Sequence, residues 1–394
     1  MDSQHAGFGR GNRKNLIWLL MPLIFLIAAI SWIIFTDPFK SFRNGAPPVE
    51  SVTFERTILN DQGLRLSVRA GGSEPMRIAQ VQVDGAYWTF TQTPPGAISR
   101  GSTVWLDIPY PWVLGDAHEV TIVTNTGTTF VQPIEVAVPT PAVTASQLRF
   151  QAMIGIFVGV VPIIFGLMFY PVLRGVKQGG MNFLMALTIG LLVFLMIDAT
   201  ASAMQIAGNS AAIFQGQVMV ILAAATTFLV LMAVGQRGGA PNGLSLSTFI
   251  ALGIGLHNLG EGLAIGAAFA AGSAGLGTFL VLGFTVHNIT EGIGIAAPIL
   301  KKRPPLWAFG GLALLAGGPA VVGMWMGSLA FSPQWGAVAL SIGAGAILQV
   351  VIQVAAYIMR SNKMGLETFL RPSVLSGLIT GVAFMYITAA FIKI

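Results

Sequence analysis

The chain has 394 residues, 54% of them hydrophobic and only 9% charged, with a mean hydropathy of +0.75. Soluble domains carry about a quarter charged residues, so this composition excludes an ordinary soluble enzyme, a nucleic-acid-binding domain and a disordered tail. There is no cysteine, which excludes disulfides and thiolate metal sites and leaves four histidines and fifteen acidic residues for any metal chemistry.

The N-terminal segment carries Arg10, Arg13 and Lys14 ahead of an apolar run over 16–35. A membrane span needs about 20 apolar residues. The run is too long for a signal-peptide core, and Phe35-Thr36-Asp37-Pro38 offers no small-residue cleavage site. Residues 1–36 therefore read as a cytoplasmic tail and a retained transmembrane anchor.

Residues 50–140 have a different character. Leu64–Val68 and Ile78–Val83 alternate apolar with polar residues, and Val120–Thr124 and Phe130–Val138 are further strand candidates. Turn signals separate them at Asp61-Gln62-Gly63, Gly71-Gly72, Asp84-Gly85, Pro94-Pro95-Gly96 and Asn125-Thr126-Gly127. Short strands at this spacing predict a small antiparallel β-sandwich, immunoglobulin-like in outline. Pro139-Thr140-Pro141 reads as a stiff linker into the first core helix.

From residue 150 to the end, eight more apolar runs predict an eight-helix membrane domain: 150–173, 181–204, 213–235, 246–271, 276–299, 306–330, 335–358 and 374–392. The basic residues orient it. Twelve of them lie in segments that fall on one side of the membrane: the N-terminal tail, Arg174 and Lys177, Arg237, Lys301-Lys302-Arg303, and Arg360, Lys363 and Arg371. The alternate short loops near 205–212, 272–275 and 331–334 have none, and Lys393 alone opposes them. Basic loops stay inside, so the expected N-terminus is cytoplasmic, the β-domain and C-terminus are extracytoplasmic, and the protein is multi-pass in the cell membrane. The net charge of +6 is then an orientation signal and not a nucleic-acid footprint.

Ionisable residues inside a span are costly and point to function. From residue 150 onward the acidic residues are Asp198, Glu261, Glu291 and Glu367, and Glu367 falls in a basic loop. His257 and His287 lie in spans, within His257-Asn258-Leu259-Gly260-Glu261-Gly262 and His287-Asn288-Ile289-Thr290-Glu291-Gly292. Four residues from His to Glu put both side chains on one helix face. On neighbouring antiparallel helices the two pairs can meet. Imidazole with carboxylate suits a borderline divalent ion such as Zn²⁺, Fe²⁺ or Mn²⁺, and without thiolate the site can release it. Two carboxylates also neutralise a dication in hydrocarbon. Asn258 and Asn288 fit either ligation or interhelical hydrogen bonding. Asp198 is a candidate way-station or proton acceptor. Gln349 and Gln353, one turn apart, are candidates for the ion path, with helix-to-helix bonding the simpler reading.

With these motifs, residues 150–394 resemble the ZIP (Zrt/Irt-like protein) family of divalent metal transporters. The His-Asn-x-x-Glu-Gly signature stands in the fourth core span and its partner in the fifth, with further likeness in Gly317-Gly318-Pro319-Ala320 and Ser341-Ile342-Gly343-Ala344-Gly345. The resemblance implies an eight-helix core with both ends outside and a transport site of His257, Glu261, His287 and Glu291. It also implies zinc as first cargo, with iron, manganese or cadmium as others, and a homodimer. Three features depart from the family pattern. Asn288 and the uncharged stretch around Ala320 stand where binuclear members have acidic residues. The loop Gln236–Asn242 is short and lacks histidine, and Gln349 and Gln353 replace acidic residues of the seventh span. The expected function is divalent metal transport into the cytoplasm by a non-enzyme with no organic cofactor, whose partners are the lipid bilayer and the metal ions. The alternatives are an intramembrane metalloenzyme, for which neither H-E-x-x-H nor G-x-S-x-G is present, and a membrane-anchored receptor with a β-sandwich binding domain.

Overall fold

Every apolar run predicted from the sequence falls in a helix, and the segment between the first two forms strands. The computed structural model describes residues 11–36, 38, 48–142, 144–236, 239–270 and 274–392. His5, Arg10, Arg237 and Lys393 lie outside the described residues. The chain divides into two compact units, Met1–Val49 and Glu50–Ile394. The first contains helix α1 (Gly11–Thr36), whose apolar stretch Leu20–Ile33 is shorter than the eight long apolar segments of the second.

The second unit begins with eight strands: β1 (Val52–Asn60), β2 (Gly63–Ala70), β3 (Ile78–Val83), β4 (Ala86–Trp88), β5 (Thr91–Thr93), β6 (Thr103–Ile108), β7 (His118–Thr124) and β8 (Thr129–Ile134). They form two antiparallel sheets, ordered β1-β2-β6-β5 and β4-β3-β7-β8. Leu64, Leu66, Val68, Val104 and Leu106 of one sheet share a core with Val81, Val83, Val120 and Ile122 of the other. Alternation along β2, β6 and β7 supplies those side chains, because successive residues point to opposite faces. The strand order follows the two-sheet pairing of immunoglobulin-type sandwiches. Beside this core, Asp84 accepts from Tyr110 Oη, from the Glu119 amide and at the Nδ1 of His118, each at 2.8 Å. Burial works against the Asp84 charge, but these hydrogen bonds and the His118 charge outweigh it and hold the carboxyl below its ordinary value. The expected linker is tied down, since the Thr140 hydroxyl and amide both bond the main chain of Leu59.

Among the described residues of this unit, eight helical segments are long and apolar enough to cross a membrane. The first, Ala145–Leu173, comprises α2 (Ala145–Gly155), a π-helical turn at Ile156–Val160, α3 (Val161–Met168) and α4 (Tyr170–Leu173). Next come α5 (Gln178–Gly208), α6 (Gly216–Gln236), α7 (Leu244–Ala270) and α8 (Ala274–Ala296). The sixth segment breaks at Gly317-Gly318-Pro319 into α9 (Leu306–Gly317) and α10 (Pro319–Ala330), because Pro319 has no amide to continue the ladder. Helices α11 (Pro333–Asn362) and α12 (Pro372–Ile392) complete the set. Helices α7 and α11 are the most buried of these segments and α6 the least, so α7, which carries the first His/Glu motif, runs through the middle. It packs on α10, α11, α8 and α9, while α5 packs on α11 and α12.

The β region meets the helices at an ion pair between two of its own strands, β1 and β2. Arg69 grips Glu55 with Nε–Oε1 at 2.6 Å and Nη2–Oε2 at 3.2 Å, and Gln334 at the start of α11 donates to the same Oε1 at 3.0 Å. The Arg69 guanidinium also sits 5.1 Å from the ring centre of Phe214, just before α6.

Candidate metal centre

The i,i+4 spacing places His257 and Glu261 on one face of α7, and His287 and Glu291 on one face of α8. The two helices pack together, and all four side chains are buried, with exposures of 6, 4, 3 and 2%. Glu261 joins the two motifs: its Oε1 lies 2.7 Å from His287 Nε2 and 3.2 Å from His257 Nε2. Glu291 closes the group, because ligand atoms of His257, His287 and Glu291 all lie within 4.8 Å of one another. Among the described residues, neither Glu291 oxygen and neither His257 ring nitrogen has a well-formed hydrogen bond. Unpaired polar atoms this deeply buried are costly, and a divalent cation would satisfy them together. The two imidazoles and the Glu291 carboxylate could together hold such an ion, with Glu261 against both histidines.

The asparagines use their amide nitrogens to join helices. Asn288 Nδ2 donates to the Val158 carbonyl at 3.0 Å, in the π-helical turn of the first span. Asn258 Nδ2 donates to the Ala316 carbonyl at 3.0 Å, next to the break between α9 and α10. Their Oδ1 atoms are buried and unpartnered, and Asn288 Nδ2 is also 3.5 Å from Glu261 Oε2. The glycines that end the motifs are crossing points: a Cβ on Gly262 would overlap the Ala320 carbonyl, and one on Gly292 the Ile163 carbonyl.

The other candidate residues lie outside this cluster. Asp198 is half-buried on α5 and near enough to His287 for their charges to interact. Gly343 of α11 faces the backbone of His257, so Gln349 and Gln353 sit about 9 and 15 Å further along that helix at 1.5 Å per residue. Both are buried, and the Gln353 amide, against Gly235 of α6, has no hydrogen-bond partner among the described residues. Sequence reasoning missed the carbonyl partners Val158 and Ala316. The Pro319 break was a usable signal for the second, whereas nothing in Ile156–Val160 announces a π turn. No protein-family model matches the chain, and no match was found among curated proteins.

Proposed function

We propose that this protein carries divalent transition-metal ions, zinc foremost, across the cell membrane into the cytoplasm in the manner of the ZIP transporters it resembles. The observation that carries the reading is the convergence of His257, His287 and Glu291 with Glu261 between two buried, membrane-length helices. Four buried ionisable groups without an ion are hard to account for by packing. A dication balances the two carboxylates, and neutral imidazoles complete its shell.

Alternating exposure would come from sliding one set of helices past another, with α7 moving against α11. Asp198, an acidic residue close to His287, suits a way-station on the outer approach. The basic loops orient the β-domain outward. The ion is cargo, so no resident cofactor and no catalytic step is invoked, and a homodimer in the bilayer is the assembly the resemblance implies.

The test is zinc uptake into proteoliposomes. Glu261→Ala and Glu291→Ala are expected to abolish it, and His257→Ala and His287→Ala to reduce it at least tenfold. Wild-type rates in either glutamate variant would end the transport assignment.

A further inference from the structure

A cavity of about 800 Å³ separates the β region from the ends of α5, α7 and α10. One wall is β1, an edge strand of its sheet, and Ala267 and Ala270 of α7 line the opposite side. Those two residues lie about 9 and 14 Å beyond Glu261 along the same helix.

The charges of the cavity are unequal in their freedom. Pairing slips between Phe54 and Arg56 of β1, a bulge that interrupts alternation, and both Glu55 and Arg56 line the space. Glu55 is already neutralised by Arg69 and engaged by Gln334. The Arg56 side chain is half-buried and makes no hydrogen bond or ion pair with any described residue. Glu135, also on the wall, is exposed. The uncompensated inner charge is therefore a guanidinium, with Thr53, Thr57 and Gln132 adding neutral hydrogen-bonding groups.

A bare divalent ion is repelled by such a charge, and its coordination needs ligand atoms at about 2 to 2.5 Å rather than a chamber. The volume lies instead in the range of small-molecule sites. A guanidinium fork matches a carboxylate in two parallel hydrogen bonds. We propose that this cavity binds a small polycarboxylate anion through Arg56, either free or as the ligand shell in which a divalent ion arrives. The second form rests on the transport reading; carboxylate binding by itself does not.

The test is equilibrium binding of radiolabelled citrate to the full-length protein in lipid nanodiscs, with and without zinc, beside zinc uptake by the wild type in proteoliposomes. Saturable citrate binding is expected, with affinity lowered about tenfold or more in Arg56→Gln, the loss of one charged hydrogen-bonding partner. Arg56→Lys, which keeps the charge without the fork, should recover part of it and so separates recognition from misfolding. Binding of citrate alone identifies the free anion as ligand, and binding only with zinc identifies the complex. No citrate binding under either condition, or equal binding by Arg56→Gln, would overturn the inference even if zinc uptake is robust. Citrate binding without zinc flux would leave the cavity assigned and remove the transport reading.

Discussion

The side-chain amide of Asn288 donates to the main-chain carbonyl of Val158 at 3.0 Å, joining the second His/Glu motif to the π-helical turn of the first long apolar segment. A π turn widens the helix and offsets its carbonyls from the regular ladder, which is why such turns occur at functional sites. Asn258 does the same at Ala316, beside the break before Pro319. Each motif helix is thereby keyed to an interrupted neighbour, and that bond sets the rotation at which its His and Glu face the centre.

Asn288→Ala should therefore destabilise the protein by about 1 to 3 kcal/mol, the cost of a buried hydrogen bond lost. Asn288→Asp removes the same donor and adds a carboxylate beside Glu261. It should melt lower than wild type in chelator and gain more thermal stability from zinc. An equal zinc-induced shift in the two proteins would contradict this.

At the crossing of α8 with α3, a methyl group on Gly292 meets the Ile163 carbonyl and the Cα of Gly166. Backbone cannot yield as a side chain can, so Gly292→Ala should cost about 1 to 3 kcal/mol or more and displace the adjacent Glu291. Zinc affinity, measured by calorimetry in detergent, should fall even though no ligand is changed. Gly310→Ala, where a Cβ meets nothing within 4 Å, serves as the control and should be neutral.

The Glu55–Arg69 pair, with side-chain exposures of 8 and 18%, should matter far more than Asp107–Arg65 at 45 and 44%. Removing one partner of a buried pair strands the other, so Glu55→Ala should cost about 3 kcal/mol. Asp107→Ala should cost less than about 1 kcal/mol. Thermal unfolding followed by tryptophan fluorescence distinguishes them, and equal losses would mean that burial does not set the worth of the pair.

Asp84 links folding to pH. Its folded-state pKa lies below the ordinary 3.8, so its contribution is complete above that value and is lost as pH falls through the folded pKa. Wild-type melting temperature should drop as pH falls below about 4. Asp84→Asn should be less stable at pH 7 and should show a shallower acid dependence over the same range. A variant with the wild-type acid profile would move this linkage to another group.

Several elements were readable along the chain because their signal is local. Runs of about 20 apolar residues mark spans whatever they pack against, and the four-residue step from His257 to Glu261 puts both on one face of any helix. Strands β2 and β3 announced themselves by alternation, and β7 and β8 as strand candidates between turn signals. Strand β1 did not, because the bulge at Glu55 breaks its period; β4 and β5 are only three residues each. Alternation in Thr103–Ile108, the strand β6, was present and passed over.

By itself the sequence determined which segments are long and apolar enough to span, where the β region lies, and which His, Glu and Asn residues are candidates for a shared site. Those properties are periodic or compositional and belong to single elements. Only the tertiary structure decided that Glu261 lies between the two histidines, that the asparagine amides bond Val158 and Ala316, and that Glu55 and Gln334 join sheet to helix. Each of these is a meeting of atoms far apart in the chain. Helix crossings at glycine and the placing of a π turn set them, and neither leaves a period to read.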